Sequence, residues 1–570
     1  MQKNLFHKKI CKFPTLLLIL ILIFQPPIAL ANTNADALAN NGVITTVPGL
    51  VPDGSTNTRI HRAANGTPIV DTATANSSRF SHNRFTRYNV TSENQVINNF
   101  QGSSSNLSIN SNLGGVIYAN PNLQHSGSAN LILNEVTSDH ASYINGYIEI
   151  AGGRADLMIS NPNGLSLNGG GFLNVNRLSL VAGSMNLDED GNVKGSIIGD
   201  KKLSPSNIAG QVIITARNVL GSDNSIIPLG LDAMDTTHSE IIARTVKISG
   251  EIYAKNLTIK TGNDKAQYDQ NSKEFTVTSD ADKSIDDPAT DENGDITTLA
   301  IDSSYLGGMY AGRIKLVATE DGLGVRTRGN LIADVSNIDI KSAGNVEYSN
   351  IISKQGDVNI QTTNLNSINS NSMIDAVNDV NLDATETITN AGQIKAGNNL
   401  NVEAENIDNS GSLIAIKNLD LVITNDLNNQ GNIYAINQID INAATINNSI
   451  TGLILADNIL NIDVVDIANE GRIKGANELT FTNLASLSND GASALIYSIS
   501  DIVINLANLE NINGATINSN TNITINASNQ LTNDQSLILA IGNLNIEAAS
   551  ITNNNTNINI LDSDGNIIFD

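Results

Sequence analysis

Few residues in this chain have the types and spacing that support catalysis or cofactor binding. The sequence contains no G-x-S-x-G, H-E-x-x-H or Walker loop and no Cys/His cluster, which are the patterns of nucleophilic, zinc-dependent and phosphate-binding sites. The histidines beyond the N-terminal segment are scattered: His61, His82, His125, His140 and His238. The sequence therefore predicts no catalytic residues, no cofactor and no metal centre, and a protein that is not an enzyme.

Two acidic segments have part of the pattern of a calcium-binding loop. Asp188–Gly191 reads DEDG and Asp562–Gly565 reads DSDG, but both lack the further acidic position and the bidentate Glu of an EF-hand. Asp-Gly turns between short strands are the favoured interpretation, with a calcium site as the alternative. The glycines of Gly322–Gly324 and Gly329 resemble a dinucleotide loop, but no helix is predicted to follow them.

The composition limits the possible partners. The chain has 570 residues, of which 40% are hydrophobic and 4% aromatic, with 57 acidic residues against 32 basic ones and a net charge of −25. This balance argues against nucleic acid, because phosphate contacts need clustered Lys and Arg. It also argues against a basic membrane-binding face, and we expect no stable membrane insertion. The hydrophobic content is too high for a disordered chain.

Residues 1–31 have the pattern of a secretory signal peptide. Four lysines flank or precede the apolar run Leu16–Phe24, which is far shorter than the ~20 residues of a membrane-spanning helix. The small residues Ala29 and Ala31 then place cleavage before Asn32. The sequence therefore predicts export from the cytoplasm.

An apolar-x-Asn triplet recurs in the C-terminal region at intervals of 19 to 22 residues. The triplets begin at Ile388, Ile407, Leu427, Ile446, Ile467, Leu487, Leu509, Leu531 and Ile551. A glycine follows two residues after the Asn in five of the first six units, at Gly392, Gly411, Gly431, Gly471 and Gly491. We expect Asn and Gly to turn the chain at each unit because both tolerate left-handed backbone, and we expect stacked Asn side chains to form ladders.

About ten residues after each triplet comes a second run of alternating apolar residues, such as Leu419-Leu421-Ile423. The eleven prolines all lie at or before Pro288, so nothing interrupts hydrogen bonding between strands after that point. The sequence predicts an all-β, right-handed parallel β-helix, a single-stranded solenoid with about 20 residues per coil. A leucine-rich repeat is the alternative, but it requires a denser Leu framework and a helical segment in each unit.

Three segments stand out before the repeats. They are Asn120-Pro121-Asn122-Leu123, Asn161-Pro162-Asn163-Gly164 and Leu306–Gly329. Pro fixes the first corner of a tight turn and Asn or Gly supports the second, so both tetrads are predicted to be turns.

The signal peptide, the two tetrads, the Leu306–Gly329 segment and the ~20-residue coils, in this order, resemble the filamentous haemagglutinin family of two-partner secretion. The resemblance implies an N-terminal β-helical secretion domain with extra-helical strands. It also implies an outer-membrane β-barrel transporter whose periplasmic modules recognise that domain, with Asn120–Leu123 and Asn161–Gly164 shaping the recognised surface. Family members emerge unfolded and fold outside the cell.

The resemblance divides the chain into a signal peptide at 1–31, a secretion domain at 32–329 and β-helical haemagglutinin-type repeats at 330–570. An acidic segment at about 263–295 is expected to loop out of a coil as an exposed insertion. Many members carry Cys-x-x-Cys after the second tetrad, but Leu167 and Gly170 occupy those positions here. Cys11, the only cysteine, lies in the predicted signal peptide, so we expect the mature chain to have no disulfide.

Three functions fit these features to different degrees. The leading interpretation is a secreted or surface-exposed adhesin, with a host-cell receptor or glycan as its target. A pore-forming cytolysin or a truncated toxin-delivery stalk of the same family is the first alternative, since the chain stops within or just after a coil and is expected to be a short or interrupted member. A polysaccharide-degrading β-helix enzyme is the second alternative, disfavoured because the sequence has no Trp and few basic residues in the repeats.

Overall fold

The computed structural model describes residues 47–199, 208, 210–291, 293–554, 560–561 and 567–569. The predicted signal peptide with its cleavage site at Ala29, Ala31 and Asn32, and the Asp562–Gly565 segment, lie outside these residues. The chain forms two compact units that divide between Leu323 and Gly324. Within the described ranges only Ala281–Asp286 is α-helical, and Pro121–Leu123 forms a 3-10 turn, so the predicted all-β class is confirmed. None of the helices in these ranges is long and apolar enough to cross a membrane.

The first unit is built mainly from short strands. In chain order they are β1 Leu50–Pro52, β2 Arg59–Arg62, β3 Pro68–Asp71, β4 Phe80–Tyr88, β5 Gln95–Asn99, β6 Ser108–Ser111, β7 Gly115–Tyr118, β8 Leu131–Val136, β9 Ser142–Ile144, β10 Tyr147–Gly152, β11 Ala155–Ser160, β12 Leu165–Asn168, β13 Gly170–Leu173, β14 Val175–Val181, β15 Gly183–Leu187, β16 Val193–Ile198, β17 Gln211–Thr215, β18 Arg217–Leu220, β19 Ile226–Ala233, β20 His238–Ala243, β21 Thr245–Ser249, β22 Glu251–Thr261, β23 Lys265–Asp269, β24 Glu274–Val277, β25 Leu299–Ser303 and β26 Met309–Ala318.

The second unit is more regular. Its strands are β27 Gly324–Ala333, β28 Ile338–Ser342, β29 Val346–Ser353, β30 Val358–Thr362, β31 Leu365–Ser367, β32 Met373–Ala376, β33 Val380–Ala384, β34 Thr387–Asn390, β35 Gln393–Ala396, β36 Leu400–Ala404, β37 Asn406–Asn409, β38 Ser412–Ala415, β39 Asn418–Ile423, β40 Asp426–Asn429, β41 Asn432–Ala435, β42 Gln438–Asn448, β43 Leu453–Ala456, β44 Ile459–Asn469, β45 Arg472–Gly475, β46 Glu478–Thr482, β47 Ser486–Asp490, β48 Leu495–Ser498, β49 Ile502–Ile512, β50 Thr516–Ser519, β51 Ile523–Asp534, β52 Leu537–Ala540, β53 Leu544–Asn554, β54 Ile560–Leu561 and β55 Ile567–Phe569.

The coils of the first unit stack in parallel ladders. One ladder runs through β5, β10 and β13, a second through β8, β11, β14 and β20, and a third through β9, β12, β17, β21 and β25. Aliphatic side chains such as Ile132, Leu157 and Leu178 occupy matching positions of successive coils and are fully buried. Burying these side chains between coils supplies the main driving force for the fold.

Extra-helical strands, which the family resemblance implied, decorate this unit. Strands β6 and β7 form a two-stranded hairpin, and β15, β16, β23 and β24 form an antiparallel sheet. The sheet packs on the outer surface of the second ladder, where Leu133 and Met158 of the coils meet Val193, Phe275 and Val277.

The acidic segment at 263–295 differs from the exposed loop that we expected. It does leave the coil between β22 and β25, but it contains β23, β24 and the helix Ala281–Asp286, which we name α1. Asn263 is fully buried, and Phe275 and Val277 lie in a hydrophobic cluster. Its apolar residues hold the segment against the coils despite its charge.

The coils of the second unit stack in three parallel ladders, which we call faces A, B and C; in several coils one long strand, such as β42, spans faces A and B. Strands β33, β34 and β35 represent the three faces in one coil, and they pair in register with β36, β37 and β38 of the next. Inward and outward side chains alternate along strands such as β33, β36 and β39. The predicted solenoid with about 20 residues per coil is confirmed.

The asparagines of the apolar-x-Asn triplets lie at the end of the face B strands or one residue before it, and they point into the core. From Asn390 to Asn533 these side chains are at most 1% exposed. Each Nδ2 donates to the Oδ1 of the next asparagine at 2.7–3.1 Å, in the order Asn390, Asn409, Asn429, Asn448, Asn469, Asn489, Asn511, Asn533 and Asn553. The Tyr348 hydroxyl donates to the first acceptor, Asn390 Oδ1, at 3.4 Å. The predicted ladder exists, and it lies inside the solenoid.

The recurrent glycines are needed for a different reason than the one we expected. Gly411 and Gly431 do not have left-handed backbone; instead, a Cβ at either would lie 1.9 Å from the carbonyl oxygen of the glycine one coil earlier. Only Gly491 of the five has a positive φ, at 98°. The glycine row permits close approach between coils.

Candidate transporter-recognition site

The first tetrad, Asn120–Leu123, joins the β6–β7 hairpin to β8. The Asn120 Oδ1 accepts from the backbone N–H of Asn122 at 2.9 Å and caps the 3-10 turn. Its Nδ2 donates to the carbonyl oxygens of Thr72 and Asn98, both at 3.0 Å, and so ties the turn to the end of β3 and to β5. Asn120 and Leu123 are fully buried, while Pro121 is exposed.

The second tetrad, Asn161–Gly164, turns the chain from β11 into β12. The Asn161 Oδ1 accepts from the N–H of Asn163 at 2.9 Å, and its Nδ2 donates to the His140 carbonyl at 2.9 Å. Gly164 has a φ of 94°, and a Cβ there would lie 2.2 Å from Ile208 Cγ1. Pro162 and Asn163 are buried with the rest of the tetrad.

Both tetrads are turns, as the sequence predicted, but they lie inside the coil stack rather than on a continuous surface. They share no hydrogen-bond partner within the described residues. Only Pro121 and the half-buried Asn122 reach the surface. In the folded unit the tetrads therefore fix the shape of the coils.

The hydrogen bonds of Asn120 lead to a stability prediction. We expect Asn120→Ala to lower the free energy of unfolding by about 2–4 kcal/mol, because a fully buried amide that hydrogen-bonds three backbone groups is removed and leaves a polar cavity. Asn122→Ala is the matched control: its Nδ2 contacts Asn57 O at 2.8 Å and Thr72 O at 3.0 Å near solvent, so its expected cost is about 1 kcal/mol. Urea unfolding of the exported protein measures both values. Equal losses of unfolding free energy in the two variants would contradict the conclusion that Asn120 holds the turn against β5 and the end of β3.

Sequence reasoning missed the groups that support the hairpin beside the first tetrad. The buried Glu149 carboxylate accepts from Ser111 Oγ at 2.6 Å and from the N–H groups of Asn112 and Leu113 at 2.8 and 2.7 Å. Asn99 Nδ2 donates to the carbonyl oxygens of Ala129 and Gly153. A charged residue within the otherwise apolar strand β10 is the only sequence signal for Glu149.

Two buried basic residues of the coils, Arg244 and Lys260, hold the 263–295 insertion in place. Arg244 Nη2 lies 2.8 Å from Glu320 Oε1, and Arg244 Nη1 lies 3.3 Å from Asp287 Oδ2 in the insertion. Lys260 Nζ lies 2.7 Å from Glu240 Oε1 and also donates to the Phe275 carbonyl. These pairs satisfy charges that would otherwise be costly to bury.

His238, at the start of β20, gives this region a dependence on pH. Burial, reinforced by the nearby Arg177 and Lys260 charges, lowers the pKa of His238 to about 4. Its stabilising contribution is therefore complete above the unfolded pKa of about 6.5 and is lost as the pH falls toward 4. We expect His238→Gln to reduce the loss of unfolding free energy between pH 7 and pH 4.5 by about 2–3 kcal/mol, measured by urea unfolding at both pH values. An identical pH dependence in the variant would contradict this assignment.

The acidic turn Asp188–Gly191 connects β15 and β16. Asp188 Oδ1 accepts from the N–H groups of Asp190 and Asn192 at 3.0 and 2.7 Å, and Gly191 has a φ of 76°. This geometry confirms the predicted turn. Throughout the described ranges no three His, Cys, Asp or Glu side chains are arranged to hold a metal ion.

Comparison with known proteins places these features in a family. The model of the TPS secretion domain, the domain of two-partner secretion, matches residues 49–348, which is more than half of the chain. This chain belongs to the TPS secretion domain family. The resemblance to exported haemagglutinin-type proteins that the sequence suggested is therefore confirmed, and with it the secreted or surface-exposed location.

Relatives of this TPS protein include much longer chains. A tRNA nuclease CdiA from Escherichia coli (strain STEC_O31) is 32% identical over 366 residues, which cover 61% of this chain and 10% of the relative. A 16S rRNA endonuclease CdiA from Enterobacter cloacae is 34% identical over 303 residues, covering 53% of this chain and 8% of the relative. This chain thus spans about a tenth of the length of these curated relatives.

A solved structure is also similar to this TPS protein. The crystal structure of a filamentous hemagglutinin secretion domain matches with a TM-score of 0.42 and 28% identity, covering 62% of this chain and 97% of the solved one.

Proposed function

We propose that this protein is a haemagglutinin-type adhesin, exported by a cognate outer-membrane transporter and displayed at the cell surface. Residues 1–31 act as the signal peptide, 32–329 as the secretion domain with its acidic insertion at 263–295, and 330–570 as the adhesive β-helical repeats. The TPS family match carries the export part of this proposal. The described chain has no catalytic role in it.

The coil architecture supports export without an external motor. Each coil contacts mainly the coils before and after it, so coils can add one at a time as the chain emerges. Burial of the inward side chains of every new coil then favours outward movement over return.

The tetrads act twice in this proposal. Before export the chain is unfolded, and the Asn120–Leu123 and Asn161–Gly164 side chains are accessible to the periplasmic modules of the transporter. After export the same side chains are buried and hold the coils together. Burial in the folded unit is therefore compatible with recognition, provided that recognition precedes folding.

The double variant Asn120→Ala, Asn161→Ala tests the recognition role. The variant and the unchanged protein are expressed with the cognate transporter, and their surface yield is compared with the stability of the refolded chain. We expect periplasmic retention of the double variant beyond that of a control of similar stability, Leu133→Ala, which changes the core and leaves both tetrads intact. Equal export of the double variant and Leu133→Ala would contradict recognition of the tetrads by the transporter. Normal surface display of the double variant would contradict it most directly.

A toxin-delivery stalk is the second candidate function, favoured by the relatives that are named tRNA nuclease CdiA and 16S rRNA endonuclease CdiA. Incubation of the purified exported protein with erythrocytes separates the main proposal from the family's cytolytic alternative. Clumping without haemoglobin release is expected of the adhesin, whereas lysis indicates a pore-former. Growth inhibition of neighbouring bacteria without clumping would favour the stalk.

A further inference from the structure

Face C of the second unit has a different outer surface from the other two faces. We define face C as the strands β32, β35, β38, β41, β43, β45, β48, β50 and β52, which pair in register through successive coils. Half of its outward positions are large and apolar. These residues are Met373, Ile414, Tyr434, Leu453, Leu455, Leu495, Tyr497, Leu537 and Leu539.

The outward positions of face A are mainly Asn, Asp, Thr and Glu. Examples in three consecutive coils are Asn401 and Glu403, Asp420, and Asp440. Both faces are parallel ladders whose inward positions are mainly aliphatic, such as Leu400 and Val402 on face A and Ile394 and Ala396 on face C. The difference in their outer surfaces is therefore a property of the sequence that the solenoid itself does not require.

Basic residues show the same segregation. Beyond Gly392 the chain has only four, and three of them, Lys395, Arg472 and Lys474, are outward residues of face C. Its single outward acid is Asp375, which pairs with Lys395 at 3.7 Å. In a chain with a net charge of −25, face C is the part of the second unit on which two molecules can meet without strong repulsion.

The corner that follows face C extends its apolar surface. Val377, Ile416, Ile436, Ile499 and Ile541 occupy equivalent positions of different coils and are 39–52% exposed. The other coils have Gly397, Asp457, Ala476 and Asn520 at this position, so the apolar corner residues add to face C at separate points and do not form a continuous row.

The size of face C fits a protein partner. At ~4.8 Å per coil and ~3.3 Å per residue, its nine four-residue strands measure about 43 by 13 Å. Two copies in contact would therefore bury roughly 1,100 Å² before the corner residues are counted, which exceeds the ~1,000 Å² expected of a specific protein interface.

We propose that face C is a self-association surface on which a second copy of this chain docks face to face, with its coils in the opposite order. The two-fold axis passes along β43, the middle strand of face C, so that Leu453 and Leu455 of each copy meet the same residues of the other. This interface is isologous: both copies use the same residues, so each contact away from the two-fold axis occurs twice.

The charges select this arrangement over the alternative. With opposed coil order, Lys474 faces Tyr434 of the second copy, whose hydroxyl is hydrogen-bonded to the Asp457 carboxylate, and Tyr497 faces Ile414. A cation over an aromatic ring beside a carboxylate is favourable. With the coils in the same order, each strand meets its own copy reversed, and Arg472 faces Lys474 twice. That arrangement places like charges together in a desolvated interface.

Cysteine cross-linking of the full exported chain tests the contact. Because Cys11 is the only native cysteine and is predicted to leave with the signal peptide, single cysteines report on one position each. Packed sheets are ~10 Å apart, so a short bismaleimide is suitable and a direct disulfide is not. We expect Leu455→Cys to give cross-linked dimers, and Asn461→Cys, an outward residue of face A, to give none. Equal cross-linking at both positions would overturn the proposal.

The orientation and the energetics have separate tests. Mixing Tyr434→Cys with Lys474→Cys is expected to give more cross-linked dimer than either variant alone, and the reverse would overturn the opposed coil order. Sedimentation equilibrium is expected to show a dimer whose dissociation constant rises at least about tenfold in Leu455→Asp, with little change in Asn461→Asp. Retained β circular dichroism would verify that Leu455→Asp folds, and a monomeric unchanged protein at tens of micromolar would overturn the proposal.

Discussion

Replacing Asn429 by alanine is expected to lower the free energy of unfolding of the second unit by about 2–5 kcal/mol. Asn429 is fully buried; it accepts from Asn409 Nδ2 at 2.8 Å and donates to Asn448 Oδ1 at 2.8 Å. Alanine leaves a donor of Asn409 and an acceptor of Asn448 without their ladder partners where water does not enter. The cost of such unsatisfied groups exceeds the net value of an ordinary hydrogen bond.

The neighbouring residue Asn428 provides a matched control. It lies in the same strand and also makes two ladder hydrogen bonds, to Asp408 and from Asn447, both at 2.9 Å, but on the exposed side. Asn428→Ala is expected to cost less than about 1 kcal/mol, because water replaces the lost partners. Urea unfolding gives both values, and amide exchange is expected to locate the loss of protection in β37, β40 and β42. Similar losses of unfolding free energy at the two positions would show that burial does not determine how much the ladder hydrogen bonds stabilise the unit.

The sequence was sufficient to predict the solenoid because every coil repeats the same local pattern. Alternation of Leu419, Leu421 and Ile423 identifies a strand with one buried face, and the recurrence of apolar-x-Asn gives the period. Neither inference needs information about distant residues. The Asn ladder follows as well, since equivalent positions of successive coils must stack.

The covering sheet of the first unit was harder to predict, because its contacts join segments far apart in the chain. Leu131–Val136 has apolar residues at consecutive positions, which is the pattern of a strand buried on both faces. This pattern indicates a second layer, but it does not identify Phe275 and Val277 of the acidic insertion as that layer. The high charge of the insertion instead suggested an exposed loop.

The candidate site shows the same limit. The turns at Asn120 and Asn161 are local and follow from the Asn-Pro-Asn pattern. Their burial depends on Thr72, Asn98 and His140, which are brought near by coil stacking alone. For this reason the sequence predicted turns on a recognised surface, and the structure instead places six of the eight tetrad residues in the interior.

Substitution of the recurrent glycines is the second change for which we expect a large loss of stability. Gly431 and Gly491 separate its two causes, a steric clash between coils and left-handed backbone. Gly431→Ala is expected to destabilise the second unit by about 3 kcal/mol or more, because the added Cβ would lie 1.9 Å from the Gly411 carbonyl oxygen and the backbone of two coils must separate. Gly491 follows its Asn at the same spacing, but its φ is 98° and a Cβ there would meet no atom within 4 Å. Gly491→Ala is therefore expected to cost only about 1–2 kcal/mol of backbone strain.

Asparagine substitutions distinguish the two causes. Asn adopts left-handed backbone more readily than Ala, so Gly491→Asn is expected to be less destabilising than Gly491→Ala. Gly431→Asn has the same Cβ as Gly431→Ala and is expected to be at least as damaging. Thermal and urea unfolding of the four variants in the exported protein measure the order. If Asn rescued position 431 as well, backbone conformation rather than the distance between coils would explain the glycine row, and the close approach of Gly411 and Gly431 would not be the constraint that selects glycine there.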